Sequence, residues 1–419
     1  MKKINLAVAA ALAMGASAAQ AGITIPAGDW TIDIGGNVNA YYTHTKYEGA
    51  LKNATAGAPG SQASNTISTG LLPAALGIGG KTRQNDLDIA FQFTFFTGVD
   101  STNGFGTANV YGANGAGGNS INIRQAYFTF GDKSWGTIKA GRDLGLFGSD
   151  AILSDQTLLG VGQGAGGNGN STLGRIGSGY LYADWVGQIQ YASPNWNGFS
   201  FAAAARQPWG NSSNHDLGFD AKASYEWAGD FAGKVWVGGI TQKTRTAATA
   251  GTAAHWVPVG PTTNTLVAAT AGTAATSNRA EAWEIGGKVG YAGAELVGYY
   301  YDGKGFGSPA VASANLPLTG LLVNSADQDV NGGYVQATYK IPGVGTKLGV
   351  SWGESNIDAK TAGQDDFSDR SWVVGAYHPL TKSLNLVAEY TDTKYESIGN
   401  VSGVNGKAKT VALGAILFF

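Results

Sequence analysis

The chain has 419 residues, of which 65 are Gly, none is Cys and only 13% are charged. Typical soluble domains carry about 25% charged residues, so an ordinary hydrated surface is not indicated, and no disulfide framework can hold the fold. With 27 basic against 29 acidic residues, a net charge of −2, the balance gives no reason to expect nucleic acid as a partner.

The first element is a leader. Lys2 and Lys3 precede an apolar run from Ile4 to Met14, and Ala19-Gln20-Ala21 supplies a small-residue cleavage pattern. This is the signature of a secretory signal peptide over residues 1–21. Its apolar core is too short to cross a bilayer, which takes about 20 residues. Cleavage before Gly22 is expected, leaving 22–419 as one domain with 25 basic and 29 acidic residues.

After the leader the chain alternates with period two, stretch after stretch. In the first, Ile32, Ile34, Val38, Ala40 and Tyr42 share one face, and Asp33, Asn37, Asn39 and Tyr41 the other. Next, Leu87, Ile89, Phe91, Phe93 and Phe95 oppose Asp88, Ala90, Gln92 and Thr94. Further on, Phe219 to Trp227 on odd numbers oppose Asp220, Lys222, Ser224 and Glu226. Trp283, Ile285, Val289 and Tyr291 then oppose Glu284 and Lys288, and Leu384, Leu386, Ala388 and Tyr390 oppose Asn385, Glu389 and Thr391. The last stretch puts Val411, Leu413, Ala415, Leu417 and the terminal Phe419 on one apolar side.

Each run has the ~9–11 residues that a tilted strand needs to cross a bilayer. Alternation alone fits a soluble sandwich as well as a membrane barrel. Aromatics at the ends of the apolar faces, such as Tyr42, Trp227, Trp283, Tyr291, Trp352 and Tyr390, favour the barrel, where they form interfacial girdles. Short turns such as Pro342–Gly345 and Pro379–Ser383 alternate with long polar connections, which is the barrel rhythm too. One long connection, rich in Thr, Ala and Gly and running from Thr244 to Asn278, reads as a flexible external loop. Sixteen candidate strands start near residues 31, 84, 104, 120, 135, 178, 198, 217, 231, 280, 293, 332, 346, 371, 384 and 408. The expected fold is therefore all-β: a closed 16-stranded antiparallel transmembrane β-barrel. Closure follows because an open edge in hydrocarbon leaves backbone groups unpaired.

Four stretches carry a family likeness: Ile123–Gly145 (IRQAYFTFGDKSWGTIKAGRDLG), Leu173–Pro194 (LGRIGSGYLYADWVGQIQYASP), the turn SPNWNGFSFAAAARQ, and the ending KTVALGAILFF. With them, the mature chain resembles the general porins of Gram-negative outer membranes over nearly its whole length. The resemblance implies a homotrimer of water-filled barrels in the outer membrane, passing small hydrophilic solutes and ions. It implies contact with outer-membrane lipid and lipopolysaccharide, and recognition of Phe419 by the barrel-assembly machinery.

In such porins the connection after the fifth strand folds inward as a constriction loop, here Asp143 to about Gly174. Arg124, Arg142 and Arg175 match the family's inward arginines, and Asp150 and Asp155 are the acidic candidates on the loop. Replacing Arg124 or Arg175 by alanine is expected to shift selectivity toward cations. Asp33 and Asp88 line the pore by strand parity. Lys139 has the opposite parity to Arg142 and is left out of the cluster. The acidic turn of many enteric porins is absent, because Leu158-Leu159-Gly160-Val161 carries no carboxylate.

Only eight arginines occur, and one at the lipid midplane would cost roughly 2–4 kcal/mol, so they belong in the lumen or outside the membrane. An enzyme is not indicated: His44, His215, His255 and His378 fall in no metal-spaced pattern and no G-x-S-x-G elbow occurs. No cofactor or metal is expected. Two other readings remain: a solute-selective channel with a saturable site, for which Tyr299, Tyr300 and Tyr301 are a candidate aromatic track, and a plugged structural barrel.

Overall fold

The computed structural model describes residues 22–419 except 54–62, 100–120, 165–170, 210–215, 308–327, residue 361 and scattered positions between 247 and 275. The expected leader and the candidate strand near residue 104 lie outside the described residues. The described strands are β1 (Ile23–Ala27), β2 (Trp30–Gly49), β3 (Ala63–Ser68), β4 (Ala74–Gln84), β5 (Leu87–Thr97), β6 (Asn122–Asp132), β7 (Gly136–Leu144), β8 (Trp185–Ala192), β9 (Phe199–Arg206), β10 (Gly218–Trp227), β11 (Ala232–Thr246), β12 (His255–Gly260), β13 (Thr263–Val267), β14 (Thr276–Tyr291), β15 (Ala294–Lys304), β16 (Asp329–Lys340), β17 (Lys347–Ile357), β18 (Phe367–Pro379), β19 (Leu384–Glu396) and β20 (Gly406–Phe418).

Sixteen of these, β2, β4–β11 and β14–β20, form one antiparallel sheet that closes on itself through β2 and β20. Strands β1 and β3 add to β2, and β12 and β13 form a separate hairpin within the Thr/Ala/Gly-rich connection that the sequence left without structure. Tight turns recur at one end. Asn85-Asp86 and Ala292-Gly293 are two-residue hairpin turns with positive φ at both positions, the geometry that matches strand twist.

The parity read from the sequence is the parity of the wall. Val237, Trp283, Ile285, Val335, Trp372 and Leu413 are half exposed on the outside. Their neighbours Trp236, Glu284, Gln336, Ser371 and Ala412 are buried on the inside. The count of sixteen holds, but three assignments differ. β5 pairs directly with β6, so the candidate near residue 104 is not one of the sixteen wall strands. Strand β4 shows no alternation in the sequence, because Gly77, Gly79 and Gly80 carry no side chain, and their places are taken by Gln92 and the Phe91 ring from β5. The strand expected from residue 178 begins only at Trp185, because Tyr180, Leu181 and Ala183 are buried away from the ladder.

The terminal aromatic is held at the seam. Phe419 and Gly36 exchange two backbone hydrogen bonds, at 2.9 and 3.1 Å. A Cβ at Gly36 would lie 2.1 Å from the Ala75 carbonyl oxygen and 3.0 Å from the Phe419 ring. Gly36→Val is therefore expected to spoil closure at this seam. The check is electrophoresis without boiling, where the variant should lose the compact, fast-migrating band of a folded barrel. Retention of that band at wild-type yield would refute the seam's importance.

Candidate functional site

Between β7 and β8 the chain leaves the wall. Residues 145–184 include a six-residue helix, α1 (Ser149–Ser154), and a 3-10 turn over Gln156–Leu159. Such a segment brings many backbone N–H groups that need partners when buried. The inward side chains of the wall supply them. Asp220 accepts from Leu146 N (3.0 Å), Glu284 from Gly148 N (2.8 Å), Gln336 from Gln156 N (2.7 Å), and Glu389 from Val161 N and Gly162 N (2.7 and 2.8 Å). Two tyrosines donate in return: Tyr334 to the Ala151 carbonyl (2.8 Å) and Tyr41 to that of Leu159 (2.6 Å). The acceptors stand on β10, β14, β16 and β19, so the segment is fastened along the polar face of half the wall. Carboxylates make the stronger acceptors here.

The loop acids are spent on this fastening. Asp150 is buried between Lys222 (2.8 Å) and Lys234 (2.6 Å). Burial alone would raise its carboxyl, but the two ammonium groups outweigh it and hold it down at about 2. The ion pair is therefore fully present at neutral pH and fades only as pH falls through about 2. Asp155 caps the 3-10 turn, accepting from Thr157 N (2.9 Å), Thr157 Oγ1 (2.7 Å) and the Tyr180 hydroxyl (2.9 Å). Neither acid forms an ion pair with an arginine among the described residues.

Arg175 is fully buried. Its guanidinium donates to the Ser178 carbonyl (3.2 Å), the Ser371 carbonyl (3.2 Å), Ser371 Oγ (3.0 Å) and Ser351 Oγ (2.5 Å), so it ties the segment to β17 and β18 and does not stand on an open arginine wall. Arg124 sits at an irregularity in the β5–β6 register, with its guanidinium 5.0 Å from the centre of the Phe96 ring.

Arg142 departs from the expected cluster. It lies opposite Ala126 and Gly187, in the parity of the outward Phe128 and Ile189. The inward cation on β7 is Lys139, paired with Asp143. Strand parity thus gives Lys139 the place that the likeness assigned to Arg142. The charge of Arg142, with those of Arg206 and Arg124, still opposes the effect of burial, which raises the Asp184 carboxyl. Asp33 pairs with Lys81 (3.0 Å), and Asp88 with Arg83 (2.8 Å), both beside the tight-turn end. The structure thus brings Asp155 and Arg175 into one buried region around Tyr180 and Tyr334, sets Asp150 at its border beside Ala151, and places Arg124, Arg142, Asp33 and Asp88 apart from it.

A family model described as Gram-negative porin matches residues 7–397. The chain belongs to that family. It is a multi-pass β-barrel of the outer membrane. No curated protein matches its sequence. Among solved structures it is similar to the outer membrane channel DcaP of Acinetobacter baumannii (TM-score 0.59, 15% identity, 95% of this chain and 100% of that one). It is also similar to an anion-selective porin from Comamonas acidovorans (0.58, 14%, 93% and 100%) and to Salmonella typhi OmpF in complex with daunomycin (0.58, 17%, 95% and 100%). At these identities the likeness is one of fold.

Several residues of this porin's interior escaped the sequence reading. Lys222, Lys234 and Lys288 form an inward basic row on β10, β11 and β14, with Lys234 and Lys288 directly opposed in register. The signal was present, since parity already put Lys222 and Lys288 on polar faces. The aromatic track is not formed. Tyr299 and Tyr301 are buried, donating to Glu284 and Ser355, and Tyr300 faces outward. Among the described residues no cluster of His, Asp or Glu is arranged to hold a metal.

Proposed function

We propose that this porin is a passive diffusion channel for small hydrophilic solutes and ions, with the described residues between β7 and β8 (145–164 and 171–184) narrowing the lumen. The observation that carries the reading is the row of loop-to-wall hydrogen bonds from Asp220 to Glu389. Such bonds hold the segment against one side of the barrel interior. The opposite side, with Gln92, Tyr127 and Lys139 only partly buried, is left for water. No bond is made or broken during passage. Charged groups in the narrow part bias ions by sign, and the solute's own gradient drives flow. The working unit is a homotrimer in contact with lipid and lipopolysaccharide, delivered after loss of the 1–21 leader and assembled through Phe419.

Planar-bilayer recording of the purified trimer tests this reading. Stepwise insertion of channels with ohmic current is expected, and absence of current would favour a plugged barrel. In the same assay Arg124→Ala is expected to move the reversal potential in a KCl gradient toward cation preference. An unchanged potential would remove Arg124 from the conducting path.

A further inference from the structure

Resting on the channel reading above, we propose that the inner wall of β5–β8 carries a saturable site for neutral polyhydroxylated solutes, sugars and polyols, and binds them in preference to charged solutes of the same size. The site is a patch of amides and hydroxyls whose hydrogen-bonding capacity the protein leaves unfilled.

Strand register assembles the patch. Gln92 on β5 lies opposite Tyr127 on β6, and that row continues through Gly141 on β7 to Gln188 on β8. In the next row inward side chains, Thr129 lies opposite Lys139, and Lys139 opposite Gln190. Parity turns these residues to the lumen, since Phe128 and Ile189 between them are exposed on the outside. Gln92, Tyr127 and Thr129 are partly exposed and form the front of the patch.

The glutamines have used their donors and kept acceptors. Gln92 Nε2 donates to the Phe93 carbonyl and to Thr94 Oγ1 (both 3.0 Å), and Gln125 Nε2 to Asp143 (2.9 Å). Gln188 Nε2 donates to the carbonyls of Asp143 and Leu144 (3.1 and 3.0 Å). The side-chain oxygens of Gln125, Gln188 and Gln190 have no hydrogen-bond partner, although all three residues are less than one-tenth exposed. A buried acceptor in that condition is unfavourable, and an O–H or N–H donor relieves it. Charges on the same wall are already matched. Lys139 is paired with Asp143, Arg83 with Asp88 and Asp132, and Lys81 with Asp33, while Arg124 lies against the Phe96 ring.

The patch therefore calls for donors that carry no charge. A sugar brings several O–H groups on one frame. It meets Gln92, Tyr127 and Thr129 directly and the covered glutamine oxygens through bridging water, which serves nearly as well as a direct hydrogen bond. An anion or cation of the same size gives up hydration here and finds its counter-charges already engaged, which is costly. An ether chain of similar length offers oxygens alone and adds to the acceptors already in excess.

The test is uptake of labelled glucose into proteoliposomes holding the full trimer, with potassium chloride current in a planar bilayer recorded for the same preparations. Wild-type uptake is expected to saturate with glucose concentration and to be competed by sorbitol. Gluconate, glucosamine and tetraethylene glycol are expected to compete several-fold more weakly. Tyr127→Phe and Gln92→Leu are expected to raise the half-saturating glucose concentration several-fold, and Tyr339→Phe, on the outward face, to leave it unchanged. Wild-type uptake that rises linearly with glucose, or equal competition by gluconate and glucosamine, overturns the proposal and leaves the channel reading standing if potassium chloride current is present. Absence of both glucose uptake and current removes the channel reading, and this inference with it.

Discussion

Arg175→Ala is expected to loosen residues 171–184 from the wall and to give channels with larger, noisier open currents. The guanidinium reaches four oxygens from Ser178, Ser351 and Ser371 and lies over the Tyr334 ring, 5.9 Å from its centre. Its removal leaves the buried Ser351 and Ser371 hydroxyls short of a charged donor and opens a void behind the loop. Hydrogen bonds to charged groups and the cavity together place the local cost at roughly 2–5 kcal/mol. Arg175→Lys should rescue only in part, because one ammonium on a flexible stem cannot reproduce a planar fork that reaches two strands. Single-channel recording separates two outcomes. Raised conductance and noise with little change in reversal potential fits a residue that fastens the loop. A shift toward cations at unchanged conductance would instead put Arg175 on the open wall of the pore.

Asp150→Asn is expected to have the second large effect, in the opposite electrostatic sense. The carboxylate lies between Lys222 and Lys234, all three less than one-fifth exposed by side chain. Removing one partner of a buried pair typically costs 3–5 kcal/mol; water in the lumen screens part of this, so about 2–3 kcal/mol is expected here. Lys222 then keeps only the Ser149 hydroxyl (2.8 Å) and Lys234 only Glu226 (3.2 Å), α1 loses one of its ties to the wall, and anion preference rises. Adding Lys222→Gln removes one of those charges and should return most of the wild-type reversal potential. If the double variant were no closer to wild type than the single, the three groups would not act as a unit.

The wall was legible in the sequence for a simple reason. Period-two alternation fixes which side chains face in and which face out, and for β2, β5, β10, β14, β19 and β20 it does so without knowledge of register. It failed at β4, where glycines carry no side-chain pattern. The site was less legible, because loop contacts are long-range. Glu389 and Val161 are distant in sequence, and nothing local to either says that one accepts from the other. The acids of the loop looked like pore charges because composition does not show that two lysines and a tyrosine consume them. Parity gave the better guide at β7, where Lys139 lies inside and Arg142 outside.

The account stands or falls on which face of the sheet meets lipid. The chain has no cysteine, so single cysteines at Val237 and Leu413 on the outward face, and at Ser224 and Lys288 on the inward face, can carry spin labels in reconstituted protein. Labels at Val237 and Leu413 should collide freely with dissolved oxygen and little with a water-soluble nickel chelate, and those at Ser224 and Lys288 should show the reverse. Chelate access at Val237 and Leu413, with lipid contact at Ser224 and Lys288, would contradict the account.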